Sequence, residues 1–180
     1  MIRLFAGLAL PPDLCEELAR LQDGIAEARW TAPENFHITL SFVGEVPEET
    51  VEDVDDALAS VYAPAFDLKI SGIGSFAQGN DPKVIWLGLG ESKALHILKG
   101  RIDDALTRYA IPFEKRKYVP HITLARFRHM PDMQKTVDFM QAYENIETEA
   151  FPVDEFILYS STSGKHGPVY EPLEYYPLGG

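Results

Sequence analysis

The chain has a single cysteine, Cys15, so an intrachain disulfide is excluded and a reducing compartment, the cytoplasm, is the expected setting. Cys15 itself reads as a small apolar helix position rather than a reactive thiol. No stretch approaches the roughly 20 apolar residues needed to cross a bilayer. The run LFAGLAL after Arg3 is short for a signal peptide and has no small-residue cleavage site behind it, so it reads as a first strand. CxxC and HExxH are both absent, as are GxGxxG and GxxxxGK[ST], so neither a common zinc spacing nor a nucleotide-phosphate loop is offered. No metal and no cofactor are expected. Basic residues are few, 16 against 28 acidic, and the net charge of −12 disfavours broad attraction to duplex nucleic acid or to an anionic membrane. A Ser- or Gly-rich linker is also missing, since AQGNDP at 77–82 is only a turn signal, so the 180 residues are expected to form a single domain.

What the chain does have is the tetrapeptide HITL twice, at His37-Ile38-Thr39-Leu40 and again at His121-Ile122-Thr123-Leu124. Side chains of a strand alternate between its faces, so each copy projects His and Thr together and sends Ile and Leu into a core. The surroundings repeat as well. Pro47 and Pro131 each lie ten residues after their histidine and open helical stretches, and the apolar runs that begin at Phe66 and Phe151 start 29 and 30 residues after the respective histidines. Two duplicated units are therefore expected, at about 2–76 and 83–160, with a cleft between packed lobes.

Period and punctuation predict strand 2–9, helix 13–28, strand 36–43, helix 48–62 and strand 66–76 in the first unit. The second reads strand 83–90, helix 92–109 with Ser92 as N-cap, strand 118–127, helix 131–142 and strand 151–160. A last strand at 169–176 follows the loop STSGKHGP and completes one sheet. Sheet direction stays open at this point.

For lone histidines the hydrogen-bonded structural role is the expectation, and it is applied to His96, His129 and His166. The pair His37 and His121 differs, because packing alone rarely asks for histidine at two equivalent half-buried positions. Two imidazoles and two hydroxyls facing one groove suit phosphodiester cleavage, in which one ring removes a proton from the attacking oxygen and the other protonates the departing one. Thr39, Thr123 and a guanidinium would then steady the non-bridging oxygens. The segment 113–128 supplies cations around the second histidine: Lys115, Arg116, Lys117, Arg126 and Arg128 against Glu114. For the three at 115–117, decoration of a strand edge is an equal reading. Arg126, five positions after His121, would point away from the cleft in a regular strand; a bulge could redirect it, and Arg128 is the alternative. Phe42 occupies the matching place in the first copy, where a core position is preferred over base stacking.

The paired HxTx motifs, the opening RLFAGLAL, Trp30 ahead of the first motif and HITLAR at the second resemble the 2H phosphoesterases over essentially the whole chain. The branch they are most similar to is that of the RNA 2′,3′-cyclic phosphodiesterases, historically called 2′-5′ RNA ligases. The resemblance implies an α+β fold of two pseudo-symmetric lobes, each an antiparallel sheet with outer helices. It implies opening of a terminal 2′,3′-cyclic phosphate to a 2′-phosphomonoester, with ligation of 2′-5′ linked RNA as the reverse reaction. By the same resemblance His37 is the proton donor, His121 the proton acceptor, and Thr39, Thr123 and Arg126 hold the phosphate. Charge in the sequence points the same way, since cations near His121 favour its neutral form while Glu34, Glu45 and Glu48 favour protonated His37. RNA ends or small cyclic nucleotides are the expected partners, with no membrane, and a monomer is expected. A silent RNA-end binding module and a zinc-dependent hydrolase are the alternatives.

Overall fold

The computed structural model describes residues 1–165 and 167–179. His166 lies outside the described residues. The chain runs β1 (Ile2–Ala9), α1 (Pro12–Ala19), β2 (Arg29–Trp30), β3 (His37–Val46), α2 (Val51–Ala59), β4 (Phe66–Leu68) and β5 (Ile70–Gln78). It continues through β6 (Asp81–Leu89), α3 (Lys93–Arg108), β7 (His121–Arg126), α4 (Met133–Ala142), β8 (Phe151–Val153), β9 (Glu155–Gly164) and β10 (Gly167–Pro177). Short 3-10 turns at Pro33–Asn35 and Glu48–Thr50 lead into β3 and α2. Among the described residues no helix is long and apolar enough to cross a membrane.

Two four-stranded antiparallel sheets form, in the orders β10-β9-β1-β3 and β2-β7-β6-β5, and β4 pairs with β8. The expected α+β fold with antiparallel sheets is present. Each sheet, however, takes two strands from either half of the chain. The first holds β1 and β3 with β9 and β10; the second holds β6 and β7 with β2 and β5. Local pattern predicts strands but not their partners, which is why this exchange was not anticipated.

Several boundaries also moved. The first helix stops at Ala19 rather than 28: Arg20, Leu21 and Gln22 donate three residues back, to Glu17, Leu18 and Ala19, Gly24 at φ 87° then turns the chain, and the two-residue β2 fits in before the 3-10 turn. The long strands expected at 66–76 and 151–160 each divide into a short strand and a long one, β4 with β5 and β8 with β9. Ser92 caps α3 as expected, its hydroxyl accepting from Leu95 N at 3.2 Å. The last strand is present as β10, which pairs with β9.

Register is fixed by burial. Ile38 and Leu40 in β3, and Ile122 and Leu124 in β7, are at most 1% exposed, while the histidines and threonines between them are half-buried. Burying one such aliphatic side chain contributes about 1.5–3 kcal/mol. A slip of one residue would turn all four into the cleft, so alternation along each strand sets which groups face it.

Candidate active site

A cleft of about 830 Å³ is lined by both motifs at once: His37 and Thr39 from β3, His121 and Thr123 from β7. The expected meeting of the two copies is therefore present in the structure. Each ring is held in the same way. His37 Nδ1 is 2.7 Å from the carbonyl oxygen of Asn35, and His121 Nδ1 is 2.7 Å from that of Val119. A carbonyl can only accept, so Nδ1 carries the proton in both rings and Nε2 is the free lone pair of the neutral form. His37 Nε2 lies 3.1 Å from Thr39 Oγ1.

Aromatic rings pack around both imidazoles. Phe5 and the edge of Tyr170 each have centroids 4.9 Å from that of His37. Phe76 stands edge-on to His121 at 5.0 Å, and Trp86 is 6.0 Å away. Trp86 lies flat on Gly74, where a Cβ would meet the indole at 2.3 Å, so only glycine leaves room for the ring there.

Burial is the main reason both imidazoles resist protonation, pushing His37 down to about 4 and lowering His121 as well. The carbonyls of Asn35 and Val119 oppose this, and the charge of Arg126 bears on both rings. The charge argument from sequence fails on this point. No carboxylate offsets the depression of His37, so Glu34, Glu45 and Glu48 do not hold it protonated, and repulsion between the two rings when both are charged disfavours a proton there further. Nearness along the chain was the wrong guide to nearness in space.

Arg126 reaches the cleft through a bulge. Along β6 and β7 the pairing jumps from Trp86 with Thr123 to Ile85 with Ala125, leaving Leu124 as the extra residue. The insertion reverses the alternation, so Ala125 is buried and Arg126 faces the cleft. Arg128 sits in the exposed turn beyond the strand. The first copy carries the same device: β1 pairs Gly7 with Thr39 and Ala6 with Ser41, passing over Leu40. As a result Phe42 faces the cleft and not the core, which corrects the preferred reading of that residue.

Ser41, turned inward by its bulge, is 2% exposed and donates to Asp103 Oδ1 at 2.5 Å. Lys99 donates to the same carboxylate at 2.5–2.6 Å and to Ser41 Oγ at 3.2 Å, tying α3 to the bulge. Tyr118 OH donates to the carbonyl of Thr39 at 3.1 Å.

Sequence reasoning missed Arg3 and Arg29, which line the cleft with Arg116 and Arg126. Among the described residues that line the cleft Glu114 is the only carboxylate, so a protein of net charge −12 surrounds this cleft with cations. Arg29 pairs with Arg126 across β2 and β7, and its signal in the sequence was its place beside Trp30. Arg116 lies in the irregular segment that covers the edge of β3, where Glu114 N donates to Phe42 O at 2.8 Å. Its role as cleft lining takes precedence over edge decoration. His96, by contrast, is exposed on α3 with Nδ1 2.9 Å from Ser92 O, in keeping with a structural role.

The model of the family described as LigT-like phosphoesterase matches this chain twice, over residues 8–86 and 89–170, one match per HITL copy. The chain belongs to that family. Among relatives of this LigT-like chain, the RNA 2′,3′-cyclic phosphodiesterase of Aeropyrum pernix is 32% identical, covering 87% of the chain and 92% of the relative. The protein of the same name from Methanocaldococcus jannaschii is 31% identical, covering 96% and 99%. The crystal structure of E. coli LigT complexed with 3′-AMP superposes with a TM-score of 0.77 at 26% identity, covering 98% of each chain. The resemblance read from the HxTx motifs and RLFAGLAL is thus borne out.

Proposed function

We propose that this protein is a metal-independent RNA 2′,3′-cyclic phosphodiesterase that opens a terminal cyclic phosphate to a 2′-phosphomonoester, and that a 5′-hydroxyl in the place of water joins the same end in a reversible 2′-5′ ligation. The observation that carries this reading is the pair of identically held imidazoles, both with Nδ1 anchored to a backbone carbonyl, lining one arginine-rich cleft. Relatives at about 30% identity over nearly the full length that bear this activity in their names support it.

In the reaction, His121 Nε2 accepts a proton from the attacking water as its oxygen bonds to phosphorus. The bond from phosphorus to O3′ breaks, and His37 delivers a proton to that oxygen. The products are a 2′-phosphomonoester and a free 3′-hydroxyl. Each proton transfer contributes about 10² to 10⁴ in rate. Thr39, Thr123 and Arg126 meet the charge on the non-bridging oxygens of the pentacoordinate state. Because His37 is neutral in the free protein at pH 7, its proton arrives with the substrate: the phosphate anion raises the pKa of the ring beside it.

Among the described residues no three of His, Cys, Asp and Glu stand together as metal ligands would, so the chemistry of the side chains favours acid–base catalysis over a zinc hydrolase. The test is turnover of an oligonucleotide ending in a 2′,3′-cyclic phosphate, in EDTA, with identification of the product isomer. Conversion to the 2′-phosphate is expected. Binding without conversion would mark a silent RNA-end module, and activity lost in EDTA and restored by zinc would mark a metalloenzyme.

A further inference from the structure

The bulge that brings Arg126 into the cleft from the second copy brings a phenyl ring into it from the first. Arg3 lies over the Phe42 ring with its guanidinium 4.8 Å from the ring centroid. Phe42 also walls a side pocket of about 150 Å³, whose other lining includes Phe76, Tyr118 and Lys99. Thr39 and His121 line both this pocket and the main cleft, so the pocket opens directly beside the phosphate position. It has room for one planar ring system and not for a whole nucleotide.

Nothing in the handling of a bare phosphodiester calls for three aromatic side chains at that spot. Tyr118 spends its hydroxyl on the Thr39 carbonyl, and Lys99 is engaged by Asp103 and Ser41. The pocket therefore offers ring faces, with the charged Glu114, Arg116 and Lys117 also in its lining. In a nucleoside cyclic phosphate, base and phosphate are attached to the same ribose, so the base must come to rest about one sugar's breadth from the paired histidines. Aromatic faces and guanidinium planes are the surfaces on which unstacked bases are received.

We propose that Phe42, backed by Arg3 and flanked by Phe76 and Tyr118, is the platform for the base of the terminal nucleotide. This rests on the phosphate position assigned above. It makes nucleotide ends the substrate class rather than phosphodiesters at large, and it accepts any base, because stacking on an aromatic ring reads no hydrogen-bond pattern.

Calorimetric titration of inorganic phosphate and of a nucleoside 2′-monophosphate into the wild-type protein, Phe42→Leu and Phe42→Tyr tests it. Phe42→Leu is expected to weaken the nucleotide roughly 5- to 150-fold, the range for loss of one base stack, and to leave inorganic phosphate unchanged. Phe42→Tyr keeps a ring and is expected to bind both as the wild type does. Phe76→Tyr, which keeps the ring that packs against His121 and Trp86, is expected to bind both ligands as the wild type does. Equal weakening of both ligands in Phe42→Leu, or no change in either, overturns the platform. These titrations use ligands that are not turned over. Failure to open cyclic phosphates would sink the proposed reaction without touching them, and normal turnover with an unchanged nucleotide preference in Phe42→Leu would sink the platform alone.

Discussion

The two HITL copies share a sequence, a bulge and a way of holding their histidine, yet they give the cleft different chemistry. Beyond the first bulge stands Phe42 with Arg3 over it; beyond the second stands Arg126 with Arg29 beside it in register. The residue just after the first extra one, Ser41, is tied to Asp103 and Lys99, whereas its counterpart Ala125 is a buried methyl group. Duplication thus supplied a symmetric frame for the imidazoles, and divergence at the bulges supplied one aromatic wall and one cationic wall. A symmetric cleft could hold a phosphate; an asymmetric one can also orient the nucleotide attached to it.

The largest effects should come from the symmetric part. Replacing either His37 or His121 by alanine should lower kcat about 10²- to 10⁴-fold on a cyclic-phosphate oligonucleotide. The two variants should differ in pH dependence. His121→Ala should lose the acidic limb of the pH–rate profile and His37→Ala the basic limb, and the opposite result would reverse the assigned roles.

Next comes acid stability, to which both rings contribute through their burial. An exposed imidazole titrates near 6.5 and folded His37 at about 4, so between those values the unfolded chain binds a proton that the folded chain does not. Stability is complete above about pH 6.5 and is lost as the pH falls toward 4, by about 3 kcal/mol for this ring. Denaturant unfolding at pH 7 and pH 4.5 should show that loss in the wild type and a flatter dependence in His37→Gln. His121 is depressed in the same direction, so His121→Gln should flatten the dependence too.

The cationic wall should matter less than the rings. Arg126→Ala should reduce kcat/KM about 10- to 150-fold, the range for a charged hydrogen bond of about 1.5–3 kcal/mol, while Arg128→Ala, outside the cleft, should not. Equal losses in both variants would show that the bulge does not select between them. The smallest effect is expected at the other bulge. Ser41→Ala removes two hydrogen bonds, one donated to Asp103 and one accepted from Lys99, and should cost about 0.5–1.5 kcal/mol for each in denaturant unfolding.

The site was legible in the sequence wherever alternation held. His, Ile, Thr and Leu keep a period of two in both copies, so the four cleft-facing groups and the four core residues could be assigned without coordinates. Legibility ended at Leu40 and Leu124, where one inserted residue reverses the faces; the core reading of Phe42 failed for that reason. Arg3 and Arg29 escaped because they approach from neighbouring strands, β1 and β2, whose pairing the sequence does not show, and β2 is too short to show a period. Which strand pairs with which is decided by tertiary burial, and patterns read one segment at a time carry no information about it.

The shuffled ownership of the sheets has its own consequence for how the protein holds together. A cut in the turn around Gly79 would leave an N-terminal piece owning β1 and β3 but lacking β9, and a C-terminal piece owning β6 and β7 but lacking β5. Neither fragment could complete a four-stranded sheet alone, whereas mixed together each would lend the other its missing strands. The gene may be read as two copies of one idea, but the polypeptide has no seam along which those copies come apart.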